Sequence, residues 1–424
     1  MSTDLILTVI ASAMGFNVAL WLAIGLARFC DERLFTRGRV RPPLAARVRI
    51  EDVAVVIAAH NEESALPMCL RALLRIVPAG QIHIASDGST DRTVAVARAR
   101  GCQVLDIQPN VGKARALDRA IKGFDLPRRY RAVLIQDADS EIDLGFFRHA
   151  LPLFDDPAVV AVAGHVVSRW PAFAAPSFRL LYAAYRTRLY RLLQAVFQYG
   201  QTWRRTGVSY IVPGFASMYR TSILPAIDLT APGIVIEDFN MTFEVQKKKL
   251  GRIAYSPRAR CSSEDPFRLR DYRKQVQRWY LGFWQTVRRH GVWPGKFWLA
   301  LGPLVVELVI VSLFLVTLPV LALAHLVFGV DAFAVSLGSI GLHRTSPLEL
   351  LAAFAAADYA LTIVVAAIER RAVLLLYGLA FPALRILDAA LFLAAAIESL
   401  VVRSDGRWSS PLRRADEARL VAPQ

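Results

Sequence analysis

The sequence is poor in cysteine and in acidic residues. Its 424 residues include four cysteines, at positions 30, 69, 102 and 261, and no CxxC pair. Neither a disulfide framework nor a zinc site is therefore expected, and such thiols are typical of a reducing compartment. Lysine and arginine number 51 against 35 aspartate and glutamate, for a formal net charge of +16. This balance excludes an acidic tail protein and leaves nucleic acid or an anionic membrane surface as partners.

Two common phosphate-binding patterns are also missing. No GxxxxGK[ST] and no GxGxxG occurs, which excludes a P-loop and argues against a dinucleotide-binding fold. Charged residues make up only 20% of the chain, whereas 55% is hydrophobic. A chain of this composition is too apolar for an ordinary soluble enzyme. Of the two possible partners, nucleic acid and a membrane surface, the composition favours the membrane.

The first apolar segment predicts a transmembrane helix within residues 1–27. Leu5 to Ala27 has no charged residue, and 23 residues span about 35 Å, enough for a hydrocarbon core of about 30 Å. A signal peptide is the alternative, but no basic region precedes the segment. Seven arginines follow within residues 28–50. The positive-inside rule therefore predicts a basic cytosolic linker here and a cytosolic domain after it.

Apolar character returns over residues 297–402, for which three more membrane segments are predicted. They are 297–330, 350–368 and 372–402. Three crossings would place the basic tail, 403–424, outside the cell, which the same charge rule disfavours, so the number of crossings stays open. In the last segment Pro382, Arg385 and Asp388 predict either a kinked or re-entrant helix or an ion pair inside the bundle.

The soluble middle of the chain contains short β-branched runs with helix-like stretches between the early ones. The runs are 53–58, 81–85, 103–107, 132–135 and 159–163. This alternation predicts an α/β domain with a mainly parallel sheet covered on both faces. Its ligand is expected beyond the carboxyl ends of the strands.

Polar residues follow several of these runs. Asp87 begins Asp-Gly-Ser-Thr-Asp, which also suits a turn with a helix cap. Lys113 places one cation after a glycine. Asp137 and Asp139 alternate in an extended chain and face one side, so a divalent Mg²⁺ or Mn²⁺ ion on a diphosphate would relieve their repulsion. Solvated surface acids are the alternative. Glu237 precedes a helix-like stretch, where capping is the simpler reading.

Residues 266–296 predict an amphipathic, basic helix at the membrane interface. Within it Gln275, Arg278 and Trp279 stand at i, i+3 and i+4 and so share one face. Interfacial anchoring explains the arginine and the tryptophan but not the glutamine. A second basic and aromatic stretch, 178–205, has no acidic residue. Stacking on single-stranded nucleic acid would suit such a stretch, but it would not require apolar helices on both sides, so no nucleic-acid partner is expected.

Six motifs taken in chain order resemble the membrane-integrated processive branch of family 2 glycosyltransferases, which includes cellulose, chitin, hyaluronan and poly-N-acetylglucosamine synthases. They are HNEE at 60–63, DGSTD at 87–91, GK at 112–113, DAD at 137–139, ED at 237–238 and QVQRW at 275–279. The resemblance covers roughly 53–290. It implies an α/β GT-A fold, a Rossmann-like nucleotide-sugar domain at 51–265, embedded between transmembrane helices with amphipathic interface helices.

The resemblance also implies roles for single residues. Asp87 would contact the uracil, Lys113 and Asp137 the rest of the nucleotide, and Asp139 the metal ion on the diphosphate. Asp238 would be the general base beside Glu237. Gln275 would bind near the donor, Arg278 would hold the pyrophosphate, and Trp279 would stack on the acceptor sugar. Ile236 stands where the family often has threonine.

The implied activity is that of an inverting, metal-dependent β-glycosyltransferase of the inner or plasma membrane with a cytosolic active site. The donor would be a UDP-sugar, UDP-N-acetylglucosamine or UDP-glucose, and the acceptor a growing polysaccharide. One alternative is the transfer of a single sugar to a membrane lipid. Another is a membrane binding or transport protein with a degenerate transferase domain. The sequence does not indicate the oligomeric state.

Overall fold

The structure, a computed structural model, describes residues 3–34, 47–170, 177–329 and 346–402, with the backbone alone for 3–14. The predicted basic tail, 403–424, lies outside the described residues, as does most of the predicted basic linker.

An eight-stranded mixed sheet forms the centre of the described structure. Its strands are β1 (Val53–Ala59), β2 (Ile82–Asp87), β3 (Gln103–Ile107), β4 (Ala132–Asp137), β5 (Ser140–Ile142), β6 (Val159–Ser168), β7 (Ser217–Arg220) and β8 (Arg252–Ser263). They lie in the order β3-β2-β1-β4-β7-β6-β8-β5. The five strands predicted from sequence are confirmed as β1–β4 and β6. The first four are parallel, whereas β7 runs antiparallel between β4 and β6.

Strand β1 shows why the first half of the sheet is read so easily from sequence. All seven of its side chains are buried. Val53, Val55 and Ile57 pack into the core on one face, and Ala54, Val56 and Ala58 pack into the core on the other. A strand buried on both faces is a continuous apolar run, and each valine or isoleucine contributes about 1.5–3 kcal/mol.

Among the described residues, nine α-helices and one π-helical turn surround the sheet or follow it, besides short 3₁₀ turns. They are α2 (Leu66–Leu73), α3 (Thr93–Ala99), α4 (Lys113–Gly123), α5 (Leu126–Arg129), α6 (Phe146–Ala150), α7 (Leu181–Leu192), a π-helical turn (Leu193–Gln198), α8 (Tyr199–Gln201), α9 (Glu237–Lys247) and α10 (Leu269–His290). The predicted interface helix is α10, and the second basic stretch forms α7, the π-helical turn and α8.

Five further helices of the described structure lie in the long apolar segments at the two ends of the chain. They are α1 (Thr3–Leu34), α11 (Lys296–Phe328), α12 (Pro347–Glu369), α13 (Val373–Gly378) and α14 (Phe381–Val401). Among the described residues, α11 and α12 are long and apolar enough to cross a membrane, and their most apolar 18-residue windows have mean hydropathies of 2.7 and 2.0. The predicted segment 372–402 is instead two helices, and α14 contains three charged residues.

The charged residues of α14 do not pair with each other. Pro382 lies in the first turn, where its missing N–H costs little, so it does not kink the helix. Arg385 Nη1 donates to Asp358 Oδ1 of α12 at 3.1 Å. Asp388 accepts hydrogen bonds from the hydroxyls of Tyr185 and Tyr272. The predicted pair between Arg385 and Asp388 is therefore not formed, and Arg385 instead pairs with Asp358 of α12.

Candidate active site

Lys113 brings together two acidic stretches that are about 100 residues apart in sequence. Its Nζ lies 2.7 Å from Asp137 Oδ1 at the end of β4 and 2.7 Å from Glu237 Oε1 in the first turn of α9. Burial alone would lower the pKa of the lysine, but these two carboxylates raise the pKa above its ordinary value. Lys113 is therefore held as a cation at the carboxyl end of the parallel strands.

Asp87 supports the loop that presents Lys113. Its side chain is fully buried, and its two carboxylate oxygens accept hydrogen bonds from Val111 N at 2.7 Å and Gly112 N at 2.9 Å. Gly88 next to it has φ +66°, and a Cβ there would lie 2.5 Å from Asn110 N, so no side chain fits. In the structure, Asp87 thus fixes the conformation of this loop. Its contact with uracil stays a prediction.

Asp137 and Asp139 are close enough to affect each other. The pKa of Asp137 is raised by burial and by Asp139, whereas Lys113 opposes the shift. The Ser140 hydroxyl donates to Asp139 Oδ1 at 3.2 Å. Among the described residues, no group of three or more His, Cys, Asp or Glu side chains gathers as a metal site. Two partly exposed carboxylates fit a divalent ion that takes its remaining oxygen ligands from a diphosphate.

Glu237 and Asp238 have different environments although they are neighbours. The Glu237 carboxylate is occupied by Lys113. Asp238 Oδ2 accepts from Gly214 N at 3.2 Å and Oδ1 from Phe239 N at 2.6 Å. Burial, followed by the charge of Glu237, raises the pKa of Asp238 to about 7. Asp238 is therefore the acid whose basicity suits proton transfer near neutral pH.

Helix α10 packs on the segment that contains these two acids. Val235 N donates to Gln285 Oε1 at 3.0 Å, and the rings of Phe239 and Phe283 lie 5.5 Å apart. Gly282 packs directly against Ile236. The helix that holds Gln275, Arg278 and Trp279 is thus docked beside Asp238.

Arg278 and Trp279 differ in their contacts. Among the described residues Arg278 Nε is buried and has no hydrogen-bond acceptor, an unpaired donor that fits the predicted pyrophosphate contact. One face of the Trp279 indole is covered by the Arg186 guanidinium, 4.1 Å from the ring centroid. A sugar ring that stacks on Trp279 has to use the opposite face.

Sequence reasoning missed two residues that shape this site. Gly214 supplies a backbone donor to Asp238, and Arg186 contacts both Gln275 and Trp279. Arg186 lies in the acid-free basic stretch noted above, so its sequence context was informative, but its hydrogen-bond partner Gln275 is 89 residues away.

We expect Gly282→Ala to lower activity about tenfold by displacing α10 from Ile236. A Cβ at Gly282 would lie 2.9 Å from Ile236 Cβ, which cannot move without shifting the backbone. Alanine gains about 1 kcal/mol of helix propensity over glycine, which the overpacking cost of about 1–3 kcal/mol offsets or exceeds.

Gly302→Ala in α11 is the matched control, because nothing lies within 4 Å of a Cβ there. Sugar-nucleotide turnover and thermal unfolding of the purified variants are measured together. Wild-type turnover by Gly282→Ala would show that the packing of α10 on Ile236 does not matter.

The sheet and the helices around it correspond to a known class of fold. A mannosyltransferase from Pyrobaculum calidifontis, solved in complex with GDP-Man and Mn²⁺, superposes with a TM-score of 0.53 at 18% identity. The likeness covers 93% of this chain and 99% of that one. The protein has a GT-A glycosyltransferase fold.

Sequence comparison gives the family. Residues 51–282, more than half of the chain, match the model described as Glycosyltransferase like family 2, and the chain belongs to that family. It is 31% identical over 106 residues to a dolichyl-phosphate hexose transferase of Haloferax volcanii, covering 25% of this chain and 44% of that protein. It is 27% identical over 250 residues to a hyaluronan synthase of Streptococcus pyogenes, covering 55% and 57%. The chain thus spans about half the length of the curated relatives it matches.

Proposed function

We propose that the protein is a membrane-bound, inverting β-glycosyltransferase that transfers a sugar from UDP-N-acetylglucosamine or UDP-glucose to a growing polysaccharide. The observation that carries the proposal is the cluster in which Lys113 bridges Asp137 and Glu237 while Asp238 keeps a pKa of about 7. The likeness to a hyaluronan synthase supports a polymeric acceptor.

The residues divide the work of a single displacement. Asp238 accepts the proton of the acceptor hydroxyl as that oxygen attacks the anomeric carbon. Arg278 and Lys113 would stabilise, by their positive charge, the negative charge that develops on the departing diphosphate. Attack opposite the leaving group inverts configuration, so an α-linked donor gives a β-glycoside.

Asp137 and Asp139 would hold a divalent metal ion, Mg²⁺ or Mn²⁺. Such an ion, when bound, supplies Lewis-acid stabilisation of the diphosphate. The mannosyltransferase of similar fold was solved with Mn²⁺, which supports a metal ion of this kind.

We place the protein in the inner or plasma membrane with its active site in the cytosol. Helices α11 and α12 would span the bilayer. The exposed cations Arg270, Arg273 and Lys274 on α10, with Arg268 directly before it, would contact anionic lipid headgroups. The arginines after α1 favour the cytosolic side for the domain that follows.

Transfer of one sugar to a membrane lipid is the second candidate, because the chain is also similar to a dolichyl-phosphate hexose transferase. Membranes containing the protein are incubated with each radiolabelled UDP-sugar and Mg²⁺ or Mn²⁺, with GDP-mannose as a further donor. Released nucleotide identifies the donor, and the size of the labelled product identifies the acceptor. We expect UDP release and a long polymer, whereas a single labelled glycolipid would reject the polysaccharide acceptor.

A further inference from the structure

Arg186 is a buried cation in the middle of α7, with a side chain 1% exposed. Its Nε is buried and has no hydrogen-bond acceptor among the described residues. A guanidinium that is taken out of water with one donor unpaired costs stability. We therefore expect the contacts of the buried guanidinium to provide a benefit that offsets this loss of stability.

The guanidinium contacts one face of α10. Nη2 donates to Gln275 Oε1 at 3.1 Å, and the guanidinium carbon lies 4.1 Å from the centroid of the Trp279 ring and 5.1 Å from that of Tyr272. These three residues follow one another at about one-turn intervals along α10. Arg186 thus contacts both the amide and the indole for which the family resemblance implies substrate contacts.

The hydrogen bond also fixes which way the Gln275 amide points. A guanidinium has donors only, so the glutamine must present its carbonyl oxygen to Arg186. Its NH₂ group is then not used by Arg186 and can donate to a different partner. Oxygen atoms of a sugar or of a diphosphate are acceptors that match it.

Helix α7 is anchored firmly enough to act as a support. Tyr185 donates to Asp388 Oδ2 at 2.9 Å, and Asp388 Oδ1 accepts from Tyr272 at 2.7 Å. Arg188 Nη1 lies 2.6 Å from Asp358 Oδ2. The residues next to Arg186 are therefore tied to α12 and α14, so its guanidinium is held in place from both sides.

We propose that Arg186 is a positioning residue that orients Gln275 as a hydrogen-bond donor toward substrate and holds Trp279 with one face open to the acceptor sugar. The planar fork of arginine can bond the amide and stack on the indole at once, which an ammonium cannot do. The kinetic part of the proposal rests on the proposed function.

The test compares Arg186→Met, Arg186→Lys and Arg191→Met in the full-length protein. Arg191 also lies on α7, but its partner is Glu369 of α12. We expect Arg186→Met to reduce kcat/KM about 100-fold, with a raised acceptor KM, and Arg186→Lys to recover part of that loss. Arg191→Met should retain wild-type kinetics. Equal losses in Arg186→Met and Arg191→Met, with an unchanged acceptor KM, would reduce Arg186 to a structural role.

A double-mutant cycle with Gln275→Ala separates positioning from independent contributions. If Arg186 acts through Gln275, Arg186→Met adds little to Gln275→Ala, whereas additive losses would contradict the proposal. Hydrogen exchange over residues 269–290 provides a readout without turnover, and it should rise in Arg186→Met but not in Arg191→Met. If the wild type shows no turnover with any donor, the proposed function fails. The exchange measurement still tests the contact.

Discussion

We expect Asp238→Asn to lower kcat for sugar transfer about 1,000-fold or more. Asparagine has nearly the same shape and remains in the first turn of α9, but its amide cannot accept the proton of an acceptor hydroxyl. Donor binding, measured by calorimetry with the UDP-sugar and Mg²⁺ or Mn²⁺, should change little because Lys113 and Arg278 are retained.

The pH dependence of the wild type provides an independent check. The pKa of Asp238 is raised to about 7 by burial and by Glu237. The base is active when ionised, so kcat/KM should fall about tenfold per pH unit below that value and level off above it. The residual kcat/KM of Asp238→Asn should not show this fall at low pH.

Asp228→Asn is the matched control for charge removal. Asp228 is partly exposed and pairs with Arg289 on the surface, so turnover should stay at the wild-type level. Unchanged turnover in Asp238→Asn would remove Asp238 from the role of base. If the wild type shows no measurable transfer and Asp238→Asn no longer binds the donor, the results would instead favour a degenerate binding protein.

The sequence predicted the first half of the sheet and the acids at its edge for a clear physical reason. Strands such as β1 are buried on both faces, so they are continuous apolar runs, and parallel strands present their carboxyl ends together. Strand β7 has four residues and β8 contains Pro257 and three arginines, so neither shows such a run. These two strands needed tertiary pairing to form.

The sequence could not predict which side chains contact each other in the site. Glu237 looked like a helix-capping acid, and only the fold shows that Lys113 joins it to Asp137. Arg385 and Asp388 are spaced for a pair on one helix, yet each contacts a different helix. In both cases several partners satisfy the local rules, and long-range packing decides between them.

Lys113→Met should be the most destabilising single change in the site and should also remove activity. It leaves Asp137 and buried Glu237 beside Asp238 without their shared cation. Breaking a buried ion pair costs about 3–5 kcal/mol. The lower end is expected here, because the Asp137 side chain is 35% exposed. Donor binding should weaken as well, because Lys113 no longer offsets the negative charge of the diphosphate.

The sign of the pH effect distinguishes this mechanism from a simple loss of packing. Burial and neighbouring carboxylates raise the pKa values of Asp137 and Asp238 in the folded protein, and Lys113 opposes both shifts. Without the cation, these two folded pKa values rise further above those of the unfolded chain. Such groups destabilise the fold increasingly as pH rises above their unfolded pKa of about 4. The difference in melting temperature between Lys113→Met and wild type should therefore grow from pH 6 to pH 9.

Two further variants distinguish charge balance from packing at Lys113. Lys122→Met removes an exposed lysine of the same helix, paired with Asp118, and should change neither stability nor turnover by much. Adding Glu237→Gln to Lys113→Met removes one uncompensated charge, so it should restore part of the melting temperature without restoring activity. A loss of stability that is independent of pH, or one that Glu237→Gln deepens, would show that Lys113 stabilises the site by packing and not by balancing its acids.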